Sequence, residues 1–417
     1  MNLRASTKRF IYNNFHAITH KNYRYFWFGQ CISLIGTWTQ TIGQSWLVLS
    51  LTGSPLLLGI VGAMQFLPIT FFSLFAGVLT DKFSKKKILV FTQTVSMLLA
   101  FILSALVFTH AVKYGYIIAL ALCLGFCNTL DMPTRQSFIV EIVGKEDLMN
   151  AITLNSATFN LARIIGPAIG AMLMAYLGAG WCFLLNGFSF MAVIYGLVHI
   201  EAVNYVRKKS SEESMIKEII NGLKYIKNNL VLLETIMLIS IMGVFVFNYN
   251  VLIPVFTKNV LHMAEKTYGM LMSALGAGSL IGALLMSFRS KVGPSKKLMI
   301  GSSLTIGIML ILTGSSNLYY FTALSLAITG IFNMFFSTTA NTTLQINSKD
   351  EYRGRVMSVY TLVFAGSAPL GNLFSGFMAE KYGADAVFMI SGACTIVLIL
   401  LLVTWSRLRK KDKKTLN

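Results

Sequence analysis

The stretch Trp46-Leu47-Val48-Leu49-Ser50-Leu51-Thr52-Gly53-Ser54-Pro55-Leu56-Leu57-Leu58-Gly59-Ile60-Val61 sits in a run with no charge between Arg24 and Asp81. A helix crosses about 30 Å of hydrocarbon with roughly 20 apolar residues, so this run is too long for one crossing. Leu51-Thr52-Gly53-Ser54-Pro55 divides it, because Gly and Pro end one helix and open the next. Two membrane helices joined by a tight turn result.

Reading outward in the same way places spans near 25–50, 55–80, 88–109, 115–138, 151–177 and 180–199. A polar stretch runs from Glu201 to Asn229, and a second set follows near 232–257, 267–288, 297–315, 319–343, 357–379 and 386–406. The composition agrees. Of 417 residues, 55% are apolar and 12% charged, about half the charged share of an ordinary soluble domain. Five cysteines exclude a disulfide scaffold, and 30 Phe with 16 Tyr exclude disorder. The expected fold is an all-α integral membrane protein with 12 transmembrane helices in two pseudo-repeated six-helix bundles. Its parts are a lead-in at 1–24, a bundle at 25–200, a linker at 201–231, a bundle at 232–406 and a basic tail at 407–417.

A net charge of +19 raises nucleic-acid binding, so the place of the charges decides. Thirty of the 35 Lys and Arg fall on the side of both termini, with Arg135 counted in the loop after span four. Lys113, Lys258, Lys266 and Lys381 fall on the other side, and Arg163 alone is assigned within a span. Basic residues collect in cytoplasmic loops, which predicts a plasma (cytoplasmic) membrane protein with both termini cytoplasmic. The charge answers to the bilayer and its anionic lipids, and no nucleic-acid partner is expected. No cleavable signal segment is read in Met1 to Tyr23. Cysteines and histidines form no metal-ligand spacing, and no phosphate-binding loop occurs. No metal and no cofactor are expected.

The halves repeat at an offset of about 204 residues: Lys85-Lys86-Lys87 aligns with Arg289-Ser290-Lys291, and Gly144-Lys145-Glu146-Asp147 with Ser348-Lys349-Asp350-Glu351. Gly178, Phe183 and Gly187 align with Gly383, Phe388 and Gly392. Two parallel repeats with substrate held between them is a transporter architecture. Between the halves, Glu212 to Lys227 reads as an amphipathic surface helix, with Met215, Ile216, Ile219, Ile220, Leu223 and Ile226 on one face.

Gly77-Val78-Leu79-Thr80-Asp81-Lys82-Phe83-Ser84-Lys85-Lys86-Lys87 resembles the signature loop of the major facilitator superfamily, with Ser84 in place of its second glycine. Three further stretches are similar to the branch that holds the enterobactin exporter and related multidrug efflux proteins. They are Leu51 to Pro55, Asp131-Met132-Pro133-Thr134-Arg135-Gln136, and Asn155 through Leu161-Ala162-Arg163-Ile164-Ile165-Gly166-Pro167-Ala168-Ile169-Gly170. Gly166, Pro167 and Gly170 resemble the antiporter motif of drug exporters, although its closing Gly is Ala171 here. The resemblance implies a secondary transporter working by alternating access, and it implies that Asp81 latches the cytoplasmic end through a helix N-terminus.

Within the spans the polar residues are few. Asp131 is read as the one clear intramembrane acid, with Arg135 a turn on and Arg163 within reach from the next span. Burial disfavours a charged carboxylate, which makes Asp131 the first choice for a proton carrier and Arg163 its candidate partner. Superfamily cavities are lined by spans one, four, seven and ten, so Thr37, Trp38, Gln40, Gln44, Phe247, Asn248, Asn333, Ser337 and Asn341 are substrate candidates, and Asn160 joins them from a polar face of span five. Amides, aromatics and few acids suit bulky amphipathic molecules. The expected function is a proton-coupled exporter of amphipathic drugs or a siderophore, monomeric, with the proton as coupling ion. Export or flipping of a lipid-like metabolite stays open. A receptor, a scaffold or a membrane-embedded enzyme is disfavoured, since an enzyme calls for clustered acids and histidines within the spans.

Overall fold

The computed structural model describes residues 16–144, 146–201, 215–289 and 293–415. Among them are 15 helices and no strand. These are α1 (His16–Thr19), α2 (Lys21–Thr52), α3 (Pro55–Lys82), α4 (Lys85–Phe108), α5 (Tyr114–Val143), α6 (Leu148–Leu177) and α7 (Gly180–His199). They continue with α8 (Met215–Asn228), α9 (Leu230–Phe245), α10 (Tyr249–Asn259), α11 (Glu265–Arg289), α12 (Lys296–Gly314), α13 (Tyr319–Ile346), α14 (Asp350–Tyr382) and α15 (Ala384–Thr415).

Among the described residues eleven segments are long and apolar enough to cross a membrane, α9 and α10 together forming one of them. The twelfth crossing is α2. Its 32 residues give about 48 Å of helix at 1.5 Å per residue, but Ser33, Thr37, Gln40 and Gln44 dilute its apolar character. Three of those four are buried within the protein. Large apolar side chains such as Phe71, Phe75, Phe91, Phe188 and Leu324 are exposed, as lipid-facing surfaces require.

The opening turn forms as its residues dictate. Gly53 takes φ +67°, a left-handed conformation that costs glycine little. Ser54 caps α3 by accepting from the Leu57 amide at 3.2 Å, and Pro55 stands where its missing N–H is harmless. Glu380 of α14 completes the cap, accepting from Ser54 Oγ at 2.7 Å and from the Leu56 amide at 3.2 Å.

The chain divides into two compact units, Met1–Gln44 with Phe71–Ser210, and Ser45–Thr70 with Ser211–Asn417. In the first, α4 packs on α5 and α7. In the second, α12 packs on α13 and α15, α11 on α13, and α9 on α14. The third helix of each half thus meets the fourth and the sixth of its own half, as a duplication requires. α8 packs on α14 and α9, with Ile226 buried while Ile220 and Leu223 stay exposed.

Three observations depart from the sequence reading. Span seven is broken between Phe245 and Tyr249. The Asn248 side-chain amide donates to the Val244 carbonyl at 2.6 Å, replacing a backbone bond there. α15 remains helical through Thr415 rather than ending near 406. Arg135, counted with a loop, lies inside α5 with its side chain only 17% exposed.

Candidate functional site

Asp131 sits in α5, 7% exposed, and both carboxylate oxygens are held. Oδ1 accepts from Thr92 Oγ1 and from Gln93 Nε2 of α4, each at 2.8 Å. Oδ2 accepts from Arg135 Nε at 2.8 Å and lies 2.6 Å from its Nη2. Four residues on a helix is one turn, so the sequence spacing alone brings acid and base onto one face. Arg135 also donates from Nη1 to Gln30 Oε1 of α2 and stands 5.7 Å from the Phe26 ring centroid. One acid therefore joins α4 and α5, and its cation extends the network to α2.

This arrangement suits the ionised carboxylate, since every contact to it is a donor. Protonation of Oδ2 removes its charge and turns an acceptor into a donor facing a guanidinium. Arg135 would then be held by Gln30 and Phe26 alone. The partner shown for Asp131 is Arg135. Arg163 lies on α6 with its guanidinium carbon 5.9 Å from the Trp38 ring centroid.

Trp38 also meets Phe159 edge to face at 5.8 Å. Gly166 lets α6 cross beneath it, since a Cβ there would come within 2.4 Å of Trp38 Cβ. Thr39 Oγ1 donates to the Gly166 carbonyl at 3.0 Å, and a Cβ at Gly170 would stand 3.2 Å from the Thr39 carbonyl. The antiporter-like residues are thus the crossing point of α2 and α6. Pro167, also on α6, is buried. Gln40 accepts from Asn186 Nδ2 at 2.8 Å, and Asn160 donates to the Ser156 carbonyl at 2.8 Å. Gln40, Gln44 and Asn160 are buried, whereas Thr37 is exposed.

In the second unit the break in span seven gathers the other candidates. Phe247 meets the rings of Phe336 at 6.4 Å and Phe364 at 5.6 Å. Asn333 donates to Tyr249 Oη at 3.0 Å. Asn248 and Asn333 are buried, and neither side-chain carbonyl has a hydrogen-bond partner among the described residues. Ser337 is half-buried on α13, where Asn341 accepts from Gln345.

Residues 13–417 match the family of transmembrane secretion effectors, a branch of the major facilitator superfamily. The chain belongs to this family. It is 28% identical to the staphyloferrin A transporter of Staphylococcus aureus, over 90% of this chain and 94% of that one. It is 24% identical to macrolide efflux protein A of Streptococcus pyogenes, over 93% and 96%. Its fold matches a crystal structure of the nucleoside transporter NupG, with TM-score 0.72 at 14% identity, covering 91% of this chain and 98% of that one. A bacterial homologue of the human lysosomal transporter Spinster, inward-facing and unoccupied, gives TM-score 0.68 at 11% identity, over 93% and 96%. The twelve-helix major facilitator fold is therefore established, and the protein is a multi-pass membrane transporter.

In this secretion effector two lysines of the signature loop, Lys85 and Lys86, have definite partners. Lys85 pairs with Glu141 at the end of α5. Lys86 donates to the Val198 and Ile200 carbonyls at 3.1 and 2.7 Å, where the C-terminus of α7 favours a cation. Lys87 is exposed. The side chains of Asp81 and Lys82, and the packing at Gly77, lie outside the described residues.

One acid escaped the sequence reading. Glu234 of α9 is 3% exposed, and it pairs with Lys296 of α12 and accepts from Ser406 of α15. Lys296 Nζ also donates to Ser406 Oγ at 3.2 Å. Asp131 is therefore joined by a second buried intramembrane carboxylate. Glu234 stands only a few residues inside an apolar run, next to a polar linker, where it reads as a boundary charge. Its partners are 62 and 172 residues away.

Proposed function

We propose that the protein is a proton-coupled exporter of an amphipathic drug or a siderophore, working by alternating access in the cytoplasmic membrane with both termini cytoplasmic. The Asp131–Arg135 pair carries this reading. A proton can bias a conformational equilibrium only through differential affinity for the two states, and a buried acid whose cation bridges to another helix offers such a difference. Protonating Asp131 loosens Arg135 from α5 and leaves it to Gln30 and Phe26 of α2. The relatives named for staphyloferrin A, macrolides and multidrug efflux support outward transport of bulky molecules. The aromatic and amide residues Trp38, Phe247, Asn248, Asn333, Ser337 and Asn341 would contact such substrates. Asp81 serves as the gating acid of the signature loop, Arg163 positions Trp38, and the protein acts as a monomer.

The test is substrate accumulation in proteoliposomes with and without an imposed pH gradient. Asp131→Asn should abolish uphill export while downhill exchange and substrate binding persist. If the Asp131→Asn protein follows the gradient as the unmodified protein does, the proton travels elsewhere.

A further inference from the structure

A groove away from the candidate site opens along the second unit between α9 and α15. Met237 and Ile241 face Leu398, Leu401, Leu402 and Trp405 across a volume of about 420 Å³. Leu398 to Trp405 is seven residues, about 10 Å along the helix. Ser240 also lines the groove, but its hydroxyl donates to the Ile236 carbonyl at 3.0 Å. The walls therefore offer an occupant mainly dispersion contacts, with the Trp405 indole N–H as a polar group at one end. Both helices are apolar enough to cross a membrane, so the medium beside the groove is acyl chain rather than water.

The end of the groove nearest Trp405 is basic. The Arg409 guanidinium carbon lies 5.2 Å from the Trp405 ring centroid. Lys296 has a side chain 40% exposed and directs two contacts inward, to Glu234 and Ser406. An ammonium has three N–H groups, which leaves one for an oxygen outside. Glu234 is enclosed by Lys296 and Ser406, so among the described residues this end presents cations to the interface. Trp is a residue of the membrane–water boundary, and Trp405 marks that level.

We propose that this groove binds an anionic phospholipid, one acyl chain lying between α9 and α15 and the phosphate meeting Arg409 and Lys296. The apolar walls account for the chain and the cationic rim for the charge, a combination that basic pockets between membrane helices use for acidic headgroups. The site goes beyond the transport reading and does not depend on it. A bound lipid would clamp α9 to α15 where Glu234, Lys296 and Ser406 already join them.

The test uses the full chain in phosphatidylcholine vesicles containing phosphatidylglycerol with brominated acyl chains. Fluorescence quenching at Trp405 is read as the difference between the unmodified protein and Trp405→Phe. Brominated phosphatidylglycerol should reach half-maximal quenching at a several-fold lower mole fraction than brominated phosphatidylcholine. Arg409→Gln should remove most of that preference, about fivefold for the one charge lost. Ser240→Phe, which fills the groove, should weaken quenching by both lipids. Glycerol phosphate, a headgroup without chains, should not compete. Equal half-points for the two lipids would show ordinary bilayer contact and overturn the proposal. So would a preference that survives either substitution, or full competition by glycerol phosphate.

Discussion

At the scale of single residues, the two buried acids differ in what holds them. Asp131 has its cation on its own helix and neutral donors on the next, whereas Glu234 takes its cation and its hydroxyl from two other helices. Removing one partner of a buried pair leaves an uncompensated charge, at about 3–5 kcal/mol. Arg135→Ala should therefore lower the melting temperature of the purified protein far more than Asp131→Asn does. The double substitution Asp131→Asn with Arg135→Gln should recover most of the loss, because two neutral amides can hydrogen-bond. A double variant no more stable than Arg135→Ala would mean that Arg135 acts through Gln30 and Phe26 instead. Asp131 was legible as an acid in an apolar run. Arg135 was legible a turn on; the hold of Thr92 and Gln93 on the other oxygen was not, because it depends on which face of α4 packs against α5.

At the scale of helices, glycine placement separates packing from permissiveness. Gly166 and Gly170 stand at the crossing of α2 and α6, whereas a Cβ at Gly115 would meet nothing within 4 Å. Trp38 Cβ is fixed to its own backbone and cannot rotate away, so Gly166→Ala must separate the helices. Gly170→Ala meets contacts of 3.2 and 3.3 Å, which a small shift relieves. Gly115→Ala should be neutral or stabilising by about 0.5–1 kcal/mol, since alanine suits a helix better. Melting curves should rank Gly166→Ala lowest, Gly170→Ala next and Gly115→Ala highest. A Gly166→Ala protein as stable as the parent would show that this crossing yields. Helix number and turns were readable because charges and Gly-Pro pairs punctuate the chain. The break at Val246–Asn248 was not, because Gly243-Val244-Phe245-Val246-Phe247 keeps an unbroken apolar character and Asn248 reads equally well as a cavity amide.

At the scale of the whole molecule, the duplication shows in packing more clearly than in chemistry. Each half packs its third helix on its fourth and sixth, yet the first half pairs Lys85 with an acid on its fourth helix and the second pairs Lys296 with an acid on its first. Helix order is shared while the ion pairs are not, so the charges give each half its own character. The proposed orientation rests on those charges. With Arg135 placed inside α5, 29 Lys and Arg are assigned to the side of the termini and four to the other, and a bias of that size favours retention of the basic loops in the cytoplasm. The five cysteines are all free, and Cys127 and Cys182 are buried. They can be replaced by Ala or Ser to give a thiol-free background. Into it, single cysteines are placed by Val112→Cys and Tyr382→Cys on one side and by Ser210→Cys and Lys349→Cys on the other. In intact cells a membrane-impermeant maleimide should label positions 112 and 382 and spare 210 and 349, which should react only after permeabilisation. The opposite pattern would invert the orientation and place the basic end of the lipid groove in the outer leaflet.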